Sequence, residues 1–237
     1  MNKNEVEQVV DNAVGSIKEE QSWLLTYADM MTLLFAFFVL LFSLSSPDPV
    51  KISQMKDGMG DQPELKSFNA VSQEFEDIIE DLNISEKAKV SADPRGVTFE
   101  IDGDICFESG STNIHSTLAE VLNQASEKVF AQQDDYRLIM VEGHTDSDPI
   151  PKSLQQIFPT NWELSSARAS KVVNYLIDIG VNSGKLQASG YADRWPASLS
   201  WFDVRSGKVN DSIIAENNKT IAQKKANRRI KIVFSKN

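Results

Sequence analysis

Two sets of residues in this chain have types and spacings that suit chemistry. The first is a single acid. Asp29 sits inside the run Trp23-Leu-Leu-Thr-Tyr-Ala-Asp29-Met-Met-Thr32, which continues through Leu33–Phe42 without a polar side chain and closes at Ser43-Leu-Ser45. A carboxyl group at the centre of a bilayer costs on the order of 3 kcal/mol, and such a penalty usually marks the path of an ion or a proton. Asp29 lies about 9 Å along a helix axis from Trp23, off centre, which softens the penalty without removing it. Alternating steps of three and four from Asp29 meet Thr32, Ala36, Val39 and Ser43. Small and hydroxyl-bearing residues of this kind form helix–helix contacts in lipid. The stripe is therefore a dimerisation seam, or a seam that also lines an ion path to which Thr32 contributes an oxygen.

The second set is Val141-Glu-Gly-His144-Thr145-Asp146, then Asn161-Trp-Glu-Leu164-Ser165-Ser-Ala-Arg168-Ala169, then Asn227-Arg228-Arg229. Gly143 frees the backbone just after a strand pattern, so His144, Thr145 and Asp146 fall at a strand exit, where loops carry function. Asn161 is the expected N-cap of a helix beginning at Trp162, and Arg168 lies almost two turns into it. An Asp and an Arg meeting in one groove suit a zwitterion, the carboxylate taking an ammonium and the guanidinium fork a carboxylate. Three other readings stay open on these residues: a purely structural Asp–Arg pair, a His144/Asp146/Asp148 metal site, and a hydrolase. The last lacks a nucleophile at a recognisable elbow.

These groups need a frame. The 237 residues allow one membrane segment and one domain of ordinary size. Twenty-four Lys and Arg against 34 Asp and Glu give a net charge of −10, which argues against nucleic acid or an anionic membrane surface as partner. With Cys106 as the lone cysteine, no intrachain disulfide and no cysteine-based metal site can form. It lies in an apolar, strand-like stretch and reads as a buried inert thiol, the alternative being an interchain disulfide.

Residues 1–22 form an acidic tail with a weak helical stripe. Residues 23–45 form the membrane helix, roughly 34 Å long against a hydrocarbon core of about 30 Å. A cleaved signal peptide fits poorly, because the start is acidic rather than basic and Ser-Pro-Asp-Pro follows the apolar run. In 46–64 Ile52, Met55 and Met59 make a short amphipathic face, broken by Gly58, Gly60 and Pro63. A helix lies within 65–88, with Phe68, Val71, Phe75, Ile78 and Leu82 on one side. From 89 to 237 the pattern is a mixed α+β domain. It has a hairpin over Lys89–Ala92 and Val97–Ile101, a helix over Thr117–Gln132 and a strand over Tyr136–Glu142. A helix over Trp162–Ile179 and strands at Leu186–Ser189 and Arg229–Phe234 follow, with a polar, irregular stretch at 193–224.

At this point the motifs carry a resemblance. Asn161-x-x-Leu164-Ser165-x-x-Arg168-Ala169-x-x-Val172-x-x-x-Leu176, with Gly-His-Thr-Asp before it, Asn-Arg-Arg after it and Phe107-Glu-Ser-Gly-Ser111 upstream, resembles the OmpA-like peptidoglycan-binding domain. Asn-Trp-Glu-Leu-Ser after an Asp-Pro-Ile loop, and Tyr27-Ala28-Asp29 in a single membrane helix, resemble the MotB/PomB stator branch. The resemblance implies a single transmembrane helix followed by an α+β OmpA-like domain, a mixed sheet with helices on one face. It implies a non-enzymatic stator subunit in the bacterial inner membrane, N-terminus cytoplasmic and C-terminal domain periplasmic. That subunit would be a homodimer within a MotA/PomA-like ring, with no cofactor beyond the transported H⁺ or Na⁺. Asp29 would carry the ion and Thr32 would line its path. Asp146 and Arg168 would hold the diaminopimelate of the stem peptide, with Thr145, Asn161 and Leu164 lining the groove. Residues near 50–60 would plug unanchored channels. Two rivals share this build: a stator of a non-flagellar machine such as the Zorya phage-defence complex, and a non-conducting peptidoglycan tether.

Overall fold

The computed structural model describes residues 23–42, 66–108, 111–130 and 135–236. The chain divides into two compact units, Met1–Asp48 and Pro49–Asn237.

In the first unit, helix α1 spans Trp23–Phe42. Its twenty residues rise about 30 Å. Every side chain along it is exposed, so its apolar surface is unsatisfied within the unit and suits a hydrocarbon environment or a partner helix. It is the one helix among the described residues long and apolar enough to cross a membrane. The expected continuation through 43–45, the tail 1–22 and the amphipathic face within 46–64 lie outside the described residues.

The second unit is built on a five-stranded sheet of order β1-β2-β5-β3-β4. Helix α2, Phe68–Asp81, precedes it, capped by Ser67, whose hydroxyl accepts from Ala70 N. Strands β1 (Ala88–Asp93) and β2 (Gly96–Asp102) form the hairpin. A short turn α3 (Gly103–Cys106) and helix α4 (Ser116–Ala125) follow, the latter continued by a π-turn over Ser126–Phe130. Strand β3 (Ile139–His144) is joined by α5 (Asn161–Asp178) to β4 (Leu186–Gly190), with which it pairs in parallel. Three short helices, α6 (Trp201–Arg205), α7 (Asp211–Glu216) and α8 (Ile221–Asn227), lead into β5 (Arg229–Ser235). β5 then runs antiparallel between β2 and β3, so the sheet is mixed.

Alternation along the central strands makes two unlike faces. One carries three rows across β2, β5 and β3: Val97–Phe234–Ile139, Phe99–Ile232–Val141 and Ile101–Ile230–Gly143. Helices α2, α4 and α5 bury Phe75, Leu118, Leu122, Val172 and Leu176 with these rows in one core. Phe75 stacks on Phe99 at 4.9 Å. Burial of each such side chain is worth about 1.5–3 kcal/mol. The other face carries the row Glu100–Lys231–Glu142. It is covered by the stretch after β4, where Trp195 lies over Lys231 at 4.7 Å and Arg95 at 5.2 Å.

Several expectations shift in detail. The helix expected over 117–132 changes to π geometry after Ala125. The strand expected from Tyr136 starts at Ile139 instead, because Asp135 turns back onto Arg137 N, and Tyr136 is 81% exposed. Cys106 sits in a helical turn, not a strand, and is fully buried; burial pushes its thiol pKa up and leaves the group inert. The stretch 193–224, expected to be polar and irregular, holds α6, α7 and the start of α8, each begun by a polar cap: Ser200, Asn210 and Thr220.

Candidate functional site

Helix α5 and the exit of β3 set the site. Thr160, not Asn161, caps α5: the Thr160 hydroxyl accepts from Trp162 N, and the Glu163 carboxylate accepts from Thr160 N in return. This capping box was written in the sequence as Thr160-x-x-Glu163. The box frees Asn161 for another task. Its side-chain amide donates to the carbonyls of Asp146 (3.2 Å) and Asp148 (3.0 Å), tying the loop after β3 to the start of α5. Glycine permits this approach. A Cβ on Gly143 would lie 2.1 Å from Ser165 O, and one on Gly190 would lie 2.2 Å from Ser166 Oγ.

Asp146, Arg168, Thr145, Asn161 and Leu164 all line one groove of about 580 Å³, together with Phe107 and Arg228. Asp146 is not paired with Arg168. Its Oδ2 accepts from Arg228 at 2.7 Å, and its Oδ1 accepts from Asp148 N at 3.1 Å. Arg228 also reaches Asp104 at 3.4 Å. Burial alone would lower the Arg228 pKa, but Asp146 and Asp104 outweigh it and raise it. Asp148 pairs with Lys224 at 2.5 Å. Arg168 is 8% exposed. Its Nε donates to Ser111 O at 3.1 Å and its guanidinium lies 5.1 Å from the Phe107 ring centre. Burial lowers its pKa, and among the described residues no carboxylate pairs with it. A buried guanidinium over an aromatic ring that lines a groove and lacks a paired carboxylate among the described residues suits an incoming carboxylate. Asp146 keeps lone pairs for an ammonium, since a carboxylate can accept about four hydrogen bonds. The Asn-Arg-Arg motif was visible in the sequence, but the role of Arg228 as partner of Asp146 was not, because the pairing spans 82 positions.

His144 stands apart. It points to the opposite face of the sheet, stacked on Tyr191 at 5.3 Å and edge-on to Trp195 at 5.7 Å. Neither ring nitrogen has a hydrogen-bond partner among the described residues. With Asp146 and Asp148 each spent on a cation, the His144/Asp146/Asp148 metal reading has no geometry behind it, and no metal-binding group of three occurs among the described residues. In α1, Thr32 Oγ1 donates to the carbonyl of Asp29 at 2.8 Å, which puts the hydroxyl beside the acid's own turn.

A lone apolar helix ahead of a mixed-sheet domain with this groove defines a class: an anchored domain with an OmpA-type site. Residues 11–62 match the family described as "Membrane MotB of proton-channel complex MotA/MotB", and residues 106–210 match the OmpA family. The uncharacterized protein YtxE of Bacillus subtilis is 31% identical over 248 residues, 94% of this chain and 93% of that protein. Motility protein B of the same organism is 24% identical over 262 residues, 91% of this chain and 90% of that protein. Among solved structures, a MotB-like protein from Desulfovibrio vulgaris superposes with a TM-score of 0.57 at 17% identity, covering 72% of this chain and 91% of that one. The cell wall anchor of the type VI secretion system from Pseudomonas aeruginosa gives 0.52 at 23%, covering 68% and 97%. The chain belongs to the MotB-type stator family with an OmpA-like domain.

Proposed function

We propose that this chain is the ion-conducting, wall-anchored subunit of a rotary motor, most simply the flagellar one. Asp29 carries H⁺ or Na⁺ at the interface of a homodimer with a MotA/PomA-like ring. The OmpA-like domain holds diaminopimelate in the peptidoglycan stem peptide, with Arg168 on its carboxylate and Asp146 on its ammonium. The chain is single-pass in the inner membrane with its domain in the periplasm, and it performs no enzymatic step. The observation that carries this reading is Asp29 on a fully exposed apolar helix. An acid there is costly in lipid and is explained by an ion path. The test is Asp29→Asn in cells co-expressing the ring protein. The replacement is nearly isosteric yet cannot release a proton or balance a bound cation. Assembly is expected to persist while ion flux and torque disappear.

A second reading, a non-conducting tether, draws on the likeness in fold to a cell wall anchor. The same variant separates the two, because a tether keeps its output when Asp29 becomes Asn.

A further inference from the structure

The stretch between β4 and β5 does more than cover the polar face of the sheet. The loop that presents Asp146 has its backbone held from three sides. Thr145 N donates to Ala192 O, Asn161 clasps the carbonyls of Asp146 and Asp148, and Ser147 N donates to Asn218 Oδ1 at 3.1 Å. Asn218 lies between α7 and α8, far from β3 in sequence, and is 5% exposed. Both ends of its amide are used. Nδ2 donates to Ile214 O at 2.8 Å, and Oδ1 also accepts from Asn227 Nδ2 at 2.9 Å. Asn227 carries the link onward, accepting from Ala197 N and donating to Asn217 O. Its carbonyl accepts from Arg229, which also donates to Trp195 O. Arg228, the partner of Asp146, is the next residue after Asn227.

We infer that Asn218 is a positioning residue for the peptidoglycan groove: it fixes the Ser147 backbone, and with it the aim of the Asp146 carboxylate and its register with Arg228. Both ends of the Asp146–Arg228 pair are thereby referred to one buried side chain. The matched OmpA-family region ends at residue 210, before this brace. The inference rests on the proposed function of the groove.

The full-length chain in detergent micelles is titrated with the tripeptide L-Ala–γ-D-Glu–meso-diaminopimelate. Thermal unfolding is followed in parallel. Asn218→Leu keeps the volume and removes both hydrogen-bonding ends; binding is expected to weaken about ten-fold, the scale of one lost orienting hydrogen bond. Asn218→Asp keeps an acceptor for Ser147 N while losing the donor to Ile214 O. It is expected to lower the unfolding temperature yet bind within about three-fold of the parent. A merely structural residue would instead lose affinity in step with stability in both variants, and that result overturns the inference. If Asn218→Leu does not fold, Asn218→Ser replaces it. Its hydroxyl is too short to reach Ser147 N, so a folded protein with unchanged affinity also overturns it. Asp146→Ala and Arg168→Ala run alongside. If neither changes binding, the reading of the groove fails; if both lose binding while Asn218→Leu does not, the brace alone fails.

Discussion

At the scale of single residues, the groove divides its labour. Asp146 is already neutralised by Arg228, whereas Arg168 lies by Phe107 with no paired carboxylate among the described residues. Arg168→Ala therefore removes the group with most to gain from a ligand. In a sacculus pull-down, Arg168→Ala and Asp146→Ala are each expected to weaken binding by about 30-fold or more, the cost of deleting one charged partner at a buried site. Circular dichroism checks the fold, and unchanged affinity in a folded variant removes the site. Behind the groove, His144 makes the domain acid-sensitive. Burial, then the positive charge of Arg229, hold its imidazole neutral, with a pKa lowered to about 3. An unfolded imidazole titrates near 6.5, so between these values the unfolded chain binds more protons and stability falls as pH is lowered. By pH 4.5 the loss is about 3 kcal/mol. Below that, Glu142 adds to it. Burial raises its pKa, but the Arg95 guanidinium paired with it outweighs burial and brings it down to about 2, so its stabilisation is lost as pH falls from 4.5. Unfolding temperatures at pH 7 and pH 5 are expected to differ, and His144→Phe is expected to flatten that difference. A slope that survives His144→Phe would assign it to other groups.

At the scale of elements, the site is made by α5 lying directly against β3 and β4. Gly143→Ala would force a methyl group against the Ser165 carbonyl. Backbone cannot yield there without moving the helix, and overpacking of this kind costs about 1–3 kcal/mol. Because Asp146 leaves β3 and Arg168 rides on α5, the shift separates the two groups proposed to hold the ligand. Gly143→Ala is expected to lower both the unfolding temperature and the affinity for the stem peptide. Gly180→Ala is the control. Its φ of +99° makes substitution strained, but nothing lies within 4 Å of the added methyl. It should cost stability and leave affinity alone, and equal losses of affinity in both would sever the link to helix placement. The same elements show what the sequence made legible. Periodicity revealed α2, α5, the hairpin and β5 because each repeats a local pattern that burial enforces. Capping was legible too, through Thr160-x-x-Glu163, but Asn161 beside it is the residue type more favoured at an N-cap. The polar row Glu100–Lys231–Glu142 and the Asn218–Ser147 bond were not legible. They join strands and loops distant in sequence, and single-chain patterns carry no signal for such pairings.

At the scale of the whole molecule, a chain of net charge −10 must set an acid in an apolar helix and a wall-binding groove on one polypeptide. If Asp29 conducts as proposed, the ion path needs a seal until the domain is anchored. Residues 46–64 lie outside the described residues, and their sequence has the required chemistry. Ile52, Met55 and Met59 are spaced as one face of a helix would be, just beyond Pro47 and Pro49, in a stretch that Gly58, Gly60 and Pro63 interrupt. A short apolar face needs an apolar surface to cover, and beside a membrane exit the candidates are the mouth of the ring and the bilayer itself. Deleting residues 50–60 separates them. If the face seals the ring, cells co-expressing the ring protein should stop growing on induction, with cytoplasmic pH or Na⁺ moving toward the outside value. If the face lies on the bilayer, permeability stays unchanged. Repeating the deletion with Asp29→Asn identifies the route: a leak that vanishes passes Asp29, and a leak that persists bypasses it and removes Asp29 from the path.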